Sequence, residues 1–239
     1  MKKLCIYFFL VAGLLTTSCN FINGIDESGV TKIEQIDADK FDKIKVSGPF
    51  KVYVEPSATF KVELEADEAF LPYIKIAVEE DDLLRIRLEN NISLSTSKKI
   101  EVRVQMPEVE TVQISGSGNI VGNGVFSTND DFEAKVAGSG NIEFGIKSPN
   151  VSAGISGSGT ISLSGYSDKL KGSISGSGNL NLDHIESNEA DVSISGSGKI
   201  KVFAHDKLDA GISGSGTVYY KGDPKIEFRK SGSGKVVKL

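Results

Sequence analysis

Apolar and polar side chains alternate along residues 112–239 on both sides of a repeated Gly-Ser-Gly triplet. In the copy that begins at Gly176, Ile174 stands two residues before the triplet, and Leu180 and Leu182 stand four and six residues after its first glycine. Period-two alternation places every second side chain on one face of a strand. Each repeat is therefore predicted to hold two short strands, one on each side of the triplet, with one buried face.

The triplet occurs seven times, at spacings of 18 to 22 residues. A near-constant period of this length is typical of solenoids, in which each repeat is one stacked coil. The same type of side chain returns at equivalent positions of every copy, as it does when strands stack in parallel and in register; a meander of hairpins would reverse alternate strands. The pattern predicts an all-β chain folded as a parallel β-helix with coils of about 20 residues.

The triplets are predicted to form the corners of the coils. Glycine permits backbone angles that are closed to other residues, so a turn requirement explains these positions. A row of Ser and Gly at an outward corner could instead be a ligand surface. The predicted corner glycines are Gly116, Gly118, Gly138, Gly140, Gly157, Gly159, Gly176, Gly178, Gly196, Gly198, Gly214, Gly216, Gly232 and Gly234.

The preceding residues, 38–112, also have a β pattern, with one short helical stretch predicted at Asp67–Tyr73. Ser47-Gly48-Pro49 resembles a degenerate triplet. We therefore expect one continuous domain over residues 38–239, in which the first coils are irregular and longer and the regular repeats cover 112–239. A separate small β-sandwich over 38–112 is the alternative. The predicted strands of this part are Lys43–Val46, Phe50–Val54, Phe60–Glu65, Leu83–Leu88 and Lys99–Gln105.

The N-terminus has the features of an export signal. Lys2 and Lys3 precede an apolar run, Leu4–Leu15, that is too short to span a bilayer and ends in small residues before Cys19. Residues 1–18 are predicted to be a signal peptide of the bacterial lipoprotein type, although such signals usually carry Leu where Thr16 stands here. An ordinary signal followed by an incidental cysteine is the alternative. Residues 19–37 have little apolar content and are predicted to form a flexible tether.

The cysteine count supports lipidation at Cys19. The chain has two cysteines, and the other lies inside the apolar run, so the exported chain would retain one cysteine and could form no internal disulfide. A lipid attached to Cys19 explains its position, and more than one acyl chain gives durable membrane attachment. The predicted membrane partner is therefore reached through a lipid anchor at Cys19.

The combination of residues 41–54, Phe-Asp-Lys-Ile-Lys-Val-Ser-Gly-Pro-Phe-Lys-Val-Tyr-Val, with a repeated motif of the form Ile-Ser-Gly-Ser-Gly-Asn-Ile or Ile-Ser-Gly-Ser-Gly-Thr-Ile resembles the family named "putative auto-transporter adhesin, head GIN domain". The resemblance covers nearly all of the exported chain. It implies a right-handed parallel β-helix in a secreted or lipid-anchored bacterial protein, with a cell-surface role such as adhesion. A glycan or a host or cell-surface ligand is the candidate partner. It supplies no active site to transfer. The expected location is the outer membrane, on the cell surface or on its periplasmic face.

Enzymatic activity is the competing hypothesis, because parallel β-helices also host polysaccharide lyases and hydrolases. The outward columns show no recurring cluster of Asp, Glu and Arg of the kind that glycoside hydrolysis needs. The chain has no Trp, although Tyr166, Tyr219 and Tyr220 could form a small sugar platform. Three charged side chains converging in one outer groove would favour an enzyme, whereas a smooth Ser/Gly/Asn surface would favour a non-catalytic binding or structural module, which is the function predicted here.

Cofactors and nucleic acid are not predicted. His184 and His205 lie in adjacent repeats and could approach a common metal, but residues of structural loops are the simpler interpretation. The formal charge is −5 and becomes about −7 without Lys2 and Lys3, which disfavours nucleic-acid binding.

The last repeat ends without a capping helix, so an open strand edge is expected at the C-terminal end of the β-helix. Lysine commonly blunts such edges, and Lys230, Lys235 and Lys238 fit that role. The edge could equally pair with a second copy and form a homo-oligomer.

Overall fold

The computed structural model describes residues 23–95 and 100–239 of the 239-residue chain, and almost all of this part is β-structure. The predicted signal peptide, residues 1–18, and the predicted lipidation site Cys19 lie outside the described residues. Two short 3-10 turns occur, at Leu71–Tyr73 and Glu80–Asp82. The strands are β1 (Asn23–Asp26), β2 (Thr31–Ile36), β3 (Lys43–Ser47), β4 (Phe50–Pro56), β5 (Lys61–Asp67), β6 (Ile74–Glu79), β7 (Leu83–Leu88), β8 (Ile92–Ser95), β9 (Ile100–Met106), β10 (Thr111–Gly116), β11 (Asn119–Ser127), β12 (Phe132–Gly138), β13 (Asn141–Gly157), β14 (Thr160–Gly176), β15 (Asn179–Gly196), β16 (Lys199–Gly214), β17 (Thr217–Lys221), β18 (Lys225–Gly232) and β19 (Lys235–Lys238).

The chain is a parallel β-solenoid of about seven turns with a spacing of about 19 residues, which confirms the predicted fold class. Two ladders of strands run along it. Ladder A contains the segments that precede each Gly-Ser-Gly corner: β3, β10, β12, the second halves of β13 to β16, and β18. Ladder B contains the segments that follow each corner: β4, β11, the first halves of β13 to β16, β17 and β19.

The core lies between the two ladders and is built from aliphatic columns. In ladder A, Ile155, Ile174 and Ile194 are paired in register, and all three are buried. The same holds for Ile161 and Leu180 in ladder B. These are the alternating apolar positions of the sequence, so stacking like side chains on like accounts for the register of the coils.

The predicted pair of short strands per repeat is continuous in the central coils, where β13 to β16 each run for 16 to 18 residues from one triplet to the next. Within each of these strands the alternation of buried and exposed side chains is interrupted, and we call this position the second bend. In β14 it includes Gly165, which has φ +131°, and the buried Ser167. Ser167 pairs in register with Ser148 and Ser187, which are buried too. Sequence reasoning missed this buried serine column because serine interrupts the apolar alternation on which it relied.

The first coils are not stacked in chain order. β7 pairs with β3 and β9 with β4 on the side away from the regular repeats, while β3 pairs with β10 and β4 with β11 on the other side. Residues 43–56 therefore lie between two parts of the chain that follow them in sequence. These pairings place the irregular segment and the regular repeats in the same stack. The five strands predicted in this segment are found, each with its bounds within two residues of the expected ones.

Antiparallel strands close the N-terminal end of the solenoid. Strand β7 extends ladder A beyond β3, and β6 pairs antiparallel with β7. Strand β9 extends ladder B beyond β4, and there β5 pairs antiparallel with β9 and β2 with β5. We call this part, β2, β5 and β6, the cap. Strands β1 and β2 both fall within the segment predicted to be a flexible tether, and the strand pairing begins earlier in the chain than the expected boundary at residue 38. The predicted helix at Asp67–Tyr73 is limited to the 3-10 turn at Leu71–Tyr73.

Asp67, the last residue of β5, holds the residues that precede β2. Its buried carboxylate accepts hydrogen bonds from the amide and hydroxyl of Ser28 and from the amides of Gly29 and Ala69, at 2.7 to 3.0 Å. Burial alone would raise the pKa of Asp67, but these hydrogen bonds outweigh it and lower the pKa to about 2. These hydrogen bonds, together with the pairing of β2 with β5, explain why a segment of low apolar content forms a strand here.

Candidate functional site

The Gly-Ser-Gly corners join each coil to the next through their backbones. The amide of each middle serine from Ser139 to Ser233 donates to the carbonyl of the first glycine one coil earlier, at 2.9 Å. The first glycines of all seven triplets have φ between +105° and +129°. At the third position, a Cβ on Gly140 would lie 2.6 Å from the Gly118 carbonyl oxygen. Positive φ and close backbone approach together explain the glycines without a ligand.

The middle serines, such as Ser177, are exposed at the corners, and the outer surface of ladder A lies beside them. A long open trough of about 1000 Å³ follows this surface from β3 to β18. Its centre is lined by small side chains that project outward from the strands. We call this centre the serine face: Gly154, Ser156, Ser173, Ser175, Ser193, Ser195, Gly211 and Ser213.

The serine face is uncharged, but the trough has cationic ends. Lys45 and Lys135 line the end near the cap, and Arg229 and Lys230 line the other end. Lys135 lies 2.7 Å from Glu133, and Arg229 lies 2.7 Å from Asp209, so both side chains are held by neighbouring carboxylates. The trough therefore offers hydroxyl groups in its middle and positive charge at each end.

A second, smaller groove of about 360 Å³ lies on the outer surface of ladder B. It brings together polar side chains that the sequence does not show to be neighbours. We call it the polar groove; it is lined by Glu143, Phe144, Ser162, Leu163, Ser164, Asn181, Asp183, His184 and Lys201.

The charged groups of the polar groove are separated or already paired. Glu143 and Lys201 occupy the same column three coils apart, which corresponds to about 14 Å at the strand spacing. Partial burial raises the pKa of Asp183, but the Lys221 ammonium group, 2.8 Å away, holds the pKa below its ordinary value. A general acid needs a raised pKa, so Asp183 in this pairing is suited to binding rather than to proton donation.

The tyrosines proposed as a sugar platform do not come together. Tyr166 lies at the second bend of β14, where its hydroxyl donates to Asp168 at 2.8 Å. Tyr219 and Tyr220 lie on β17, near the C-terminal end of the solenoid. Tyr166 is exposed and is held in one orientation, since the Asn188 amide also reaches its hydroxyl oxygen at 3.3 Å.

The two histidines have different neighbours. His184 lines the polar groove, while the His205 ring lies 4.8 Å from the Phe203 ring and 3.8 Å from a Glu186 carboxylate oxygen. Within residues 23–95 and 100–239, no group of three or more His, Cys, Asp and Glu side chains is placed to hold a metal ion.

Comparison with known families agrees with this architecture. The family model described as "Putative auto-transporter adhesin, head GIN domain" matches residues 40–224. The chain belongs to this family. The match spans both the irregular first coils and the repeats as far as β17, so the head GIN domain includes the cap-side strands as well as the Gly-Ser-Gly coils.

Solved structures of Bacteroides and Parabacteroides proteins are similar to this head GIN domain. A putative adhesin from Bacteroides fragilis NCTC 9343 superposes with a TM-score of 0.83 at 21% identity, over 90% of this chain and 100% of that one. A putative lipid binding protein from Parabacteroides distasonis ATCC 8503 has a TM-score of 0.73 at 26% identity, over 91% and 100% of the chains. A putative adhesin from Parabacteroides merdae ATCC 43184 has a TM-score of 0.70 at 24% identity, over 90% and 99%.

A search of curated proteins finds no significant match to this head GIN domain. The part of the chain that the structure describes contains no helix with the length and apolar character that crossing a bilayer requires.

Proposed function

We propose that this head GIN protein is a non-catalytic adhesin, held in the cell envelope by a lipid on Cys19, that binds a surface ligand along its serine face. The trough is the observation behind the proposal, because it is a long open concave surface of about 1000 Å³ that follows the regular coils. The head GIN family and the similar structures described as adhesins support a binding role.

The shape of the trough favours an extended ligand. It crosses eight strands of ladder A, from Lys45 on β3 to Lys230 on β18, or about 34 Å at the strand spacing. Serine hydroxyls that repeat at this spacing can donate and accept hydrogen bonds along a chain of sugar units. We therefore propose a glycan chain as the ligand, with any acidic groups meeting the cationic ends of the trough.

Two tyrosine substitutions, two residues apart, test this proposal. Ser175 lies in the serine face, and Ser177 is exposed at the neighbouring corner but does not line the trough. Ser175→Tyr should block the trough and weaken binding to an array of bacterial and host glycans at least about tenfold, or ~1.4 kcal/mol. Ser177→Tyr should bind like the wild type. Equal binding by all three proteins, or loss in both variants, would remove the serine face as the binding surface.

The polar groove supports a second candidate, a glycan-active lyase or hydrolase. The observation in its favour is that Glu143, Asp183 and Lys201 line one groove with His184. If the groove is catalytic, incubation of polysaccharides with the protein should release unsaturated or reducing ends, and Asp183→Asn should abolish the release. We expect no such products, because the Asp183 carboxylate is already held in an ion pair with Lys221.

A further inference from the structure

Both ends of the solenoid leave strand edges without partners among the described residues. At the cap end, β6 pairs with β7 alone and β2 with β5 alone. At the other end, which we call the tail, β18 pairs with β16 alone and β19 with β17 alone. Unpaired edges offer backbone donors and acceptors to another chain. Each ladder thus has one open edge at the cap and one at the tail.

The core columns also continue to the surface at both ends. Ile226 and Phe228 occupy the inner column of ladder A, opposite Leu208 and Ala210, yet each is 38% exposed, since no further coil among the described residues covers it. At the cap end, Ile76 is on the inner side of β6, since it pairs with the buried Ile86, and it is only half-buried. The two ends therefore expose matching apolar columns of the same ladder.

The two ends carry opposite charge. Residues 221–239 contain six Lys and Arg and two Asp and Glu, a net charge of +4. Residues 26–42 contain six acidic and two basic side chains, and residues 74–82 contain four acidic and one basic, a combined net charge of −7. The tail cations Lys225, Lys230 and Lys235 form no ion pair within the described part of the chain.

We propose that copies of this protein associate head to tail, with the β18 and β19 edges of one copy against the β6 and β2 edges of the next. β6 runs opposite to the strands of ladder A, so it would pair antiparallel with β18 of the neighbour, and β2 would pair parallel with β19. This contact would cover Ile226 and Phe228 with Ile76 and extend the core from one copy into the next.

Charge determines which ends meet. A tail-to-tail dimer would place lysines against lysines, and a cap-to-cap dimer would place carboxylates against carboxylates, both of which are costly. Joining cap to tail instead brings opposite charges together. Such a contact uses two different surfaces and does not close on itself, so it produces linear chains of variable length. The inference does not depend on the glycan ligand or on the lipid anchor.

Charge reversal at each end provides the test. The tail variant carries Lys225→Glu, Lys230→Glu and Lys235→Glu, and the cap variant carries Glu34→Lys, Asp37→Lys and Glu80→Lys. Sedimentation velocity of the purified full chain should show a series of species that grows with protein concentration and shrinks with added salt. Each variant alone should sediment as a monomer.

A mixture of the two variants should restore the assembly, because an acidic tail then meets a basic cap and a basic tail meets an acidic cap. A control that reverses the exposed Lys147, Lys169 and Lys171 on the central coils should assemble like the wild type. Circular dichroism should show that all variants are folded. A wild type that stays monomeric, an assembly that stops at two copies, or a mixture that remains monomeric would overturn the proposal.

Discussion

At the scale of single residues, the corner glycines act through the space that they leave for the neighbouring coil. Gly176 has φ +126°, and a Cβ on it would overlap the carbonyl of Gly157, the same carbonyl that accepts a hydrogen bond from Ser177. A side chain here would strain the backbone and separate two coils. Ser177, the next residue, is exposed, so its side chain neither strains the backbone nor displaces the neighbouring coil.

Gly176→Ala should therefore destabilise the protein by about 2 kcal/mol or more, since a non-glycine residue in this region of φ is strained and the Cβ has no room. Ser177→Ala, one residue away, should change the free energy of unfolding by less than about 0.5 kcal/mol. Urea denaturation of both variants provides the comparison. Equal stability of the two would contradict the structural account of the triplet.

Asp67 predicts a dependence of stability on pH. Its pKa of about 2 in the folded protein lies below the ordinary value of 3.8, so its contribution is fully present above pH 3.8 and is lost as the pH falls toward 2. Asp67→Asn should lower stability at neutral pH and reduce the loss of stability between about pH 4 and about pH 2. Thermal unfolding across this range measures both effects. An unchanged pH profile would argue against a stabilising role for the hydrogen bonds that Asp67 accepts.

At the scale of elements, the strands can be predicted from the alternation of apolar and polar residues. The bends and the edge strands depend on polar contacts that this alternation does not reveal. The inner columns that contain Ile174 and Leu180 could be predicted because each repeat carries the same pattern. Strand β2 could not be predicted in this way, because all but one of its side chains are exposed. It is held by pairing with β5 and by the hydrogen bonds that Asp67 accepts from the residues before it. The second bend of β14 contains the buried Ser167, whose residue type is more typical of the surface.

The buried serine column should contribute measurably to the second bend. The Ser167 hydroxyl, fully buried, lies 2.7 Å from the Lys169 carbonyl oxygen and 3.2 Å from that of Pro149. Ser167→Ala removes this donor and should cost about 1 kcal/mol or more. Ser164→Ala, at an exposed position of the same strand, is the control and should be nearly neutral in the same denaturation assay. A neutral Ser167→Ala would show that the hydroxyl is dispensable.

At the scale of the whole molecule, the solenoid is a linear array in which each coil is stabilised by its neighbours. The sequence predicts the array itself, but not the position of β3 and β4 between strands that follow them, since no local pattern records which coils stack together. The serine face could be recognised as outward columns, whereas the polar groove combines residues of several coils and needs the register of the strands. The two ends differ in how far the core is covered. Antiparallel strands cover the core at the cap, whereas the tail leaves core residues exposed.

In a single copy, stability should therefore fall toward the tail, and the charge-reversed tail variant, which is expected to be monomeric, is the background in which to measure it. Ile174 is 2% exposed and has a coil on each side, while Ile226 is 38% exposed and has one. Ile174→Ala should cost about 2–5 kcal/mol, and Ile226→Ala well under half of that. Hydrogen exchange of the monomeric tail variant should show faster exchange in β18 and β19 than in β14. Equal costs for the two substitutions in this monomeric background would contradict the exposure of the tail core.

The central claim, a lipid-anchored adhesin that presents its solenoid outside the cell, is tested most directly by protease accessibility on intact cells, with wild type and Cys19→Ala side by side. The account predicts that added protease digests the wild type in whole cells and that the Cys19→Ala variant is lost from the membrane fraction. Protection of the wild type until the outer membrane is broken would contradict an adhesive role and indicate a function inside the envelope.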